Sequence, residues 1–140
     1  MSLSSHFEKL GAPLTNNRWS WGAVRESDQT VFLRVWQDMC EKLNPSERQY
    51  FVCIDDLKAD DHSHGANERR DHVKLIKNGY NVFLVMCQDH DDNLQDERSI
   101  KDFNDKELFV GDELIEHNGA LWMKYTKRIP VQDQRQSAGI

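Results

Sequence analysis

Several signatures that would settle a function quickly are missing from this chain of 140 residues. No apolar run approaches the ~20 residues needed to cross a bilayer, and the opening MSLSS has no charged-then-apolar leader pattern. There are three cysteines, Cys40, Cys53 and Cys87, far apart and without C-x-x-C spacing. Neither a disulfide frame nor a thiolate zinc site is indicated. Cys53 and Cys87 fall in apolar runs and read as small core residues, and a reducing cytoplasm is the expected compartment. Glycine-rich phosphate loops of the common types are absent, as is the G-x-S-x-G elbow of serine hydrolases. Positive charge is also short: 18 Lys and Arg against 24 Asp and Glu leave a net charge of −6. That balance argues against a general, backbone-driven grip on DNA or RNA, without excluding a local basic surface.

What is there suits one domain with a real core. Hydrophobic residues make up 38% and charged residues 30%. The expected layout is a single α+β domain over residues 1–131, followed by a polar tail over 132–140.

The chain is organised around residues 18–38, RWSWGAVRESDQTVFLRVWQD. They read as two strands, 19–25 and 30–37, joined by the polar turn Glu26-Ser27-Asp28-Gln29. If Arg25 pairs with Thr30, then Ala23 lies opposite Phe32, Trp21 opposite Arg34 and Trp19 opposite Trp36. Directly opposed residues share a face. One face then carries Trp19, Trp21, Phe32, Arg34 and Trp36, and the other Val24, Val31, Leu33 and Val35. The aliphatic face is a core surface. Two readings of the aromatic face stay open. It is a second core layer with Arg34 paired to a buried carboxylate, or it lines a pocket where a flat ligand stacks on Trp and Arg.

Elsewhere the pattern is coarser. Residues 4–10 read as a short helix ended by Gly11, and residues 38–43 as one helical turn. Residues 49–54 and 80–88 are strongly apolar strands. The polar loop 55–65 holds four Asp and two His, but its spacing fits no calcium loop and fixes no third zinc ligand. Residues 67–79 form the clearest helix, with Asn67 as N-cap and Gly79 past its end. Val73 and Ile76 give its buried stripe, with Arg69 and His72 beside it, and Arg70, Lys74 and Lys77 on one side. The acidic stretch 89–98 reads as a mobile loop in which a divalent-cation site stays open. Short strands are expected at 99–104 and 107–110, with a turn at Gly111-Asp112. Asn118-Gly119 marks a final hairpin in which Leu114 and Trp122 face inward. The sum is a curved, antiparallel-rich sheet, or a small open barrel, with two flanking helices.

The runs NRWSWGAV and VFLRVWQD (within 17–38) and ERRDHVKLI (68–76) resemble a family of small bacterial proteins of unknown function, some of which accompany HNH-type nuclease domains. At fold level the layout is similar to PUA-like modules, which include the EVE and SRA readers of modified bases. The resemblance implies a place in DNA-directed or defence systems without nuclease activity in this chain.

The reading taken forward is a non-catalytic module for a nucleobase or nucleotide, including modified DNA. Its candidate contacts are Trp19, Trp21, Arg34, Trp36, Arg69 and Arg70, with Arg18, Arg25, Lys74 and Lys77 as a basic rim. No catalytic residue, metal ligand or cofactor is assigned. One alternative is a protein-interaction or regulatory domain, dimeric or with another protein partner, using exposed Trp as anchors. The other is a metal-dependent nuclease drawing on Asp55, Asp56, Asp89 and Asp91.

Overall fold

The computed structural model describes residues 2–89 and 100–134. Two helices flank one mixed, open sheet of eight strands. The helices are α1 (Leu3–Lys9) and α2 (His64–Lys77). The strands are β1 (Gly22–Arg25), β2 (Thr30–Trp36), β3 (Cys40–Glu41), β4 (Tyr50–Asp56), β5 (Asn81–Asp89), β6 (Ile100–Phe103), β7 (Glu107–His117) and β8 (Ala120–Pro130). The sheet order is β1-β2-β5-β7-β8-β4-β3, with β6 added beside β5. Every pairing is antiparallel except β2 with β5, which run parallel from Thr30↔Asn81 to Trp36↔Cys87. A parallel pair needs a long crossover, and the chain between them supplies β3, β4 and α2.

The sheet is buried on both faces, which explains the nearly continuous apolar runs of β2 and β5. One face carries Ala23, Phe32, Phe83, Val85 and Cys87 and is covered by Phe7 of α1 and by Leu10, which caps its end. The other carries Val31, Leu33, Val52, Leu84 and Met123 and receives Val73 of α2. The β1–β2 hairpin has the expected register, Arg25↔Thr30 and Ala23↔Phe32. A short 3₁₀ turn at Glu26–Asp28 and a left-handed Gln29 (φ 51°) close it. The β7–β8 turn has positive φ at both Asn118 (52°) and Gly119 (76°), the combination that Asn-Gly accepts at low cost.

Three expectations are corrected. The helix predicted from Asn67 begins at His64, because Ser63 caps it by accepting from the Ala66 amide at 3.2 Å. Gly111-Asp112 is no turn. It is a bulge inside one long strand, where Gly111 lies so close to Val82 that a Cβ would approach its Cγ1 to 2.5 Å. Residues 37–41 form a 3₁₀ turn and the two-residue β3 rather than an α-helical turn. Leu114 and Trp122 both pack into the protein as expected, on opposite faces of the sheet: Leu114 pairs with Met123, and the buried Trp122 with Ile115. The acidic stretch from 90 onward, like residues 135–140 of the tail, lies outside the described residues.

Arg25 anchors the hairpin to α1. Its Nε and Nη2 donate to the two carboxylate oxygens of Asp28 (2.8 and 2.5 Å), and Nη1 donates to the Leu10 carbonyl (2.6 Å). The side chains are 3% and 1% exposed. Breaking such a pair on one side strands a buried charge. Asp28→Ala is therefore expected to lower stability by about 3–5 kcal/mol in urea unfolding, and Arg25→Met/Asp28→Leu to recover much of it. A loss below about 1 kcal/mol for Asp28→Ala would show that the pair is not insulated from water.

Candidate functional site

Three of the candidates, Trp21, Arg34 and Arg69, meet at residues 20–22, where the chain enters β1. Two neighbouring side chains on α2 read this segment's backbone with opposite charge. Glu68 Oε1 accepts from the amides of Trp21 (2.8 Å) and Gly22 (3.3 Å), while Oε2 accepts from the Ser20 hydroxyl (2.9 Å). Arg69 donates through Nη2 to the carbonyls of Trp21 (3.0 Å) and Arg34 (2.6 Å), and through Nη1 to that of Ile54 (3.0 Å). These carbonyls belong to the entry of β1, to β2 and to β4, so one guanidinium ties together strands that are not neighbours in the sheet. On β2, Arg34 Nη1 donates to the Ser20 carbonyl at 2.5 Å, and its amide to the Trp21 carbonyl at 2.9 Å.

This clasp decides where the tryptophans go. The ladder between β1 and β2 ends at Gly22↔Leu33. Residues 17–19 turn instead of extending, with the Ser20 hydroxyl also accepting from the Asn16 amide at 2.9 Å. The expected single aromatic face is therefore corrected: Trp19 is not opposite Trp36. The Trp19 ring lies 5.1 Å from the His64 ring. The Arg69 guanidinium sits 6.0 Å from the Trp21 ring, which packs against Gly65. A Cβ at Gly65 would come within 2.3 Å of that ring, so helix and indole meet only because the residue is glycine. Arg34 and Trp36, two apart on β2, share the face of Phe32. Arg70 is on the rim, donating to Asn67 Oδ1 (2.9 Å) and the Asp61 carbonyl (2.6 Å).

Neither earlier account of Arg34 is met in full. It is half-buried, yet no carboxylate pairs with it among the described residues. Its Nε is buried without a partner, as are Arg69 Nε and His72 Nδ1. Burial, more than any neighbour, draws the Arg34 guanidinium below its ordinary range. Arg69 is 4% exposed, and burial first, then the charge of Arg34, brings it down to about 10, still protonated at neutral pH. Burial likewise raises the Cys87 thiol beside Arg34, so it supplies no counter-charge. Arg25, expected on a basic rim, is locked to Asp28 inside the protein.

Other expectations fare as follows. Among the described residues no three His, Cys, Asp or Glu side chains are grouped to hold a metal ion, and no helix is long and apolar enough to cross a membrane. Among the described residues the large exposed hydrophobics are Met39, Tyr50 and Leu57, while Trp19, Trp21 and Trp36 are half-buried. Ser20 and Glu68 are the functional-looking residues that sequence reasoning passed over. Nothing local marks Glu68, because its partners are 46 to 48 positions away. The chain matches no family model, no curated protein and no solved structure.

His72 reports on this region. Burial first, then the nearby Arg69 charge, lowers its pKa from 6.5 to about 4. The unfolded chain therefore takes up a proton that the native state refuses. Stability is full above about pH 6.5 and falls as pH drops toward 4, by roughly 3 kcal/mol from this group. His6 is shifted the same way, again by burial first. In urea unfolding at pH 7 and pH 4.5, the wild type is expected to lose more stability on acidification than His72→Phe; equal losses would remove His72 from the account.

Proposed function

We propose that the protein is a non-catalytic binding module that takes a nucleobase or nucleotide, including a modified base in DNA, at Arg34. The observation that carries this reading is a half-buried guanidinium that donates to one carbonyl, lies against the Cys87 thiol, and pairs with no carboxylate among the described residues. A buried cation lacking a partner is costly unless something else compensates it. Here it stands in the carboxyl-terminal half of the one parallel strand pair, the side of such sheets where ligands commonly gather. Trp36, on the same face two residues along, offers a flat surface for a base. Arg69 works indirectly, holding the β2 backbone that carries Arg34. The net charge of −6 favours a ligand of nucleotide size over a long stretch of duplex backbone. The three free cysteines suit a reducing, cytoplasmic setting.

The test is titration of intrinsic tryptophan fluorescence with short single- and double-stranded oligonucleotides, with and without modified cytosine, at low salt. Saturable quenching is expected, and Arg34→Met should abolish it while shifting the thermal midpoint by only a few degrees. A folded protein whose fluorescence ignores every oligonucleotide sinks the proposal.

A further inference from the structure

We infer that His6 is an acid-sensitive latch between α1 and β6, and that protonating its imidazole frees the amino-terminal helix while the rest of the sheet stays folded. The inference concerns a movement of the fold itself and requires no ligand. His6 lies in the middle of α1, yet it is only 2% exposed, and its Nε2 is buried without a hydrogen-bond partner. Its ring is 5.3 Å from that of Phe103 on β6 and 6.3 Å from that of Phe7. An imidazole so placed is tolerated while neutral. A second ring proton would make it a buried cation with no acceptor at Nε2. Burial accordingly holds the group below its usual range, and the pull of Asp105, between β6 and β7, and the push of Lys9, on α1 itself, are both weaker. Asp102 alternates to the other side of β6 from Phe103, and its carboxylate accepts from the Phe103 amide at 2.8 Å. Cys87, opposite Phe103 on β5, is kept a neutral thiol by burial. At the far end of α1, the Arg25 charge is already matched by Asp28.

The two elements that meet at His6 are weakly tied to the rest. α1 has seven residues, fewer than the ~12–15 that a helix needs to persist without packing. β6 has four residues and, among the described residues, pairs with β5 alone. What holds α1 is Phe7, with Leu10 at its end, in one cluster with Phe32 and Phe83, and the Arg25 hydrogen bond to the Leu10 carbonyl. Its departure breaks no ladder of the sheet. Once off the sheet the helix unwinds, and the Leu10 and Ala12 amides lose their bonds to the carbonyls of His6 (3.1 Å) and Phe7 (3.0 Å). The face that α1 covers is also the one that carries Arg34 and Trp36.

The freed helix takes up a proton near pH 6.5 that the docked helix refuses, so docking is at full strength above that pH and weakens below it. With the docked form unprotonated, the released fraction rises about twentyfold from pH 7 to pH 5. Hydrogen exchange followed by NMR reads this directly, expressed as protection factors so that the intrinsic pH dependence of exchange drops out. Wild type, His6→Phe and His72→Phe would be compared at both pH values. In wild type, protection of the Leu10 and Ala12 amides is expected to fall about twentyfold while amides of the β2–β5 pair stay better protected. His72→Phe should keep that fall and His6→Phe should lose it. If His6→Phe does not fold, His6→Gln, which carries no charge in this range, takes its place. Three outcomes overturn the latch: protection that ignores pH in wild type, a fall that persists in the folded His6 variant or vanishes in His72→Phe, or α1 and the β2–β5 pair exchanging at one common level.

Discussion

The structure depends on two adjacent residues of α2 reading the two polarities of one backbone segment. Glu68 collects N–H groups of Trp21 and Gly22, and Arg69 supplies donors to the Trp21 carbonyl. Buried backbone groups must be paired, and here the pairing comes from charged side chains on a helix, not from a further strand. Charge-assisted bonds of this kind are short and stronger than neutral ones. They hold the entry of β1 at a fixed distance from α2, and the glycine at position 65 lets that distance be small. The extra reach of Arg69 to Ile54 and Arg34 spreads the same restraint to β4 and β2.

A second consequence is electrostatic. The chain is acidic as a whole, but two guanidiniums are brought close enough for the charge of Arg34 to weigh on Arg69. Glu68 is shared between them as a neighbour and is itself saturated with hydrogen bonds. Arg69 resolves the strain with three carbonyl contacts. Arg34 has one, and its remaining donors define the chemical character of the region. A local concentration of positive donors thus sits inside a protein that is negative overall, and an extended polyanion would meet the acidic surface first.

Much of the fold was legible because its signals are local. The Arg25↔Thr30 register followed from counting the turn residues, and Asn118-Gly119 announced its hairpin. The apolar runs of β2 and β5 correctly implied burial on both faces. The site was legible only in part. Arg69 leaned toward the core by helical angle, and Arg34 stood out as a charge among aromatics. What could not be read was the contact between Glu68 and residues 20–22, because nothing local marks a partner nearly fifty positions away. Missing that contact meant extending β1 to Trp19, and the single aromatic face followed from the error. Helix α2 began earlier than expected because Ser63, not Asn67, is its cap, and Gly65 in its first turn is where Trp21 presses against it.

The reach of Arg69 also has a bearing on the order of assembly. The sheet can grow by local hairpins, β1 with β2 and β7 with β8, and these need no distant residue. The carbonyls of Ile54 and Arg34 belong to strands separated in the sheet by β5, β7 and β8, so they come within reach of one side chain only after those strands have joined and the sheet has curved. The parallel pairing of β2 with β5 in turn waits for the whole crossover through α2. The guanidinium of Arg34 has a local contact, the Ser20 carbonyl, whereas its backbone carbonyl is held by Arg69 only once α2 has docked. The final position of β2 beside α2 therefore belongs to the closed sheet and not to any one hairpin.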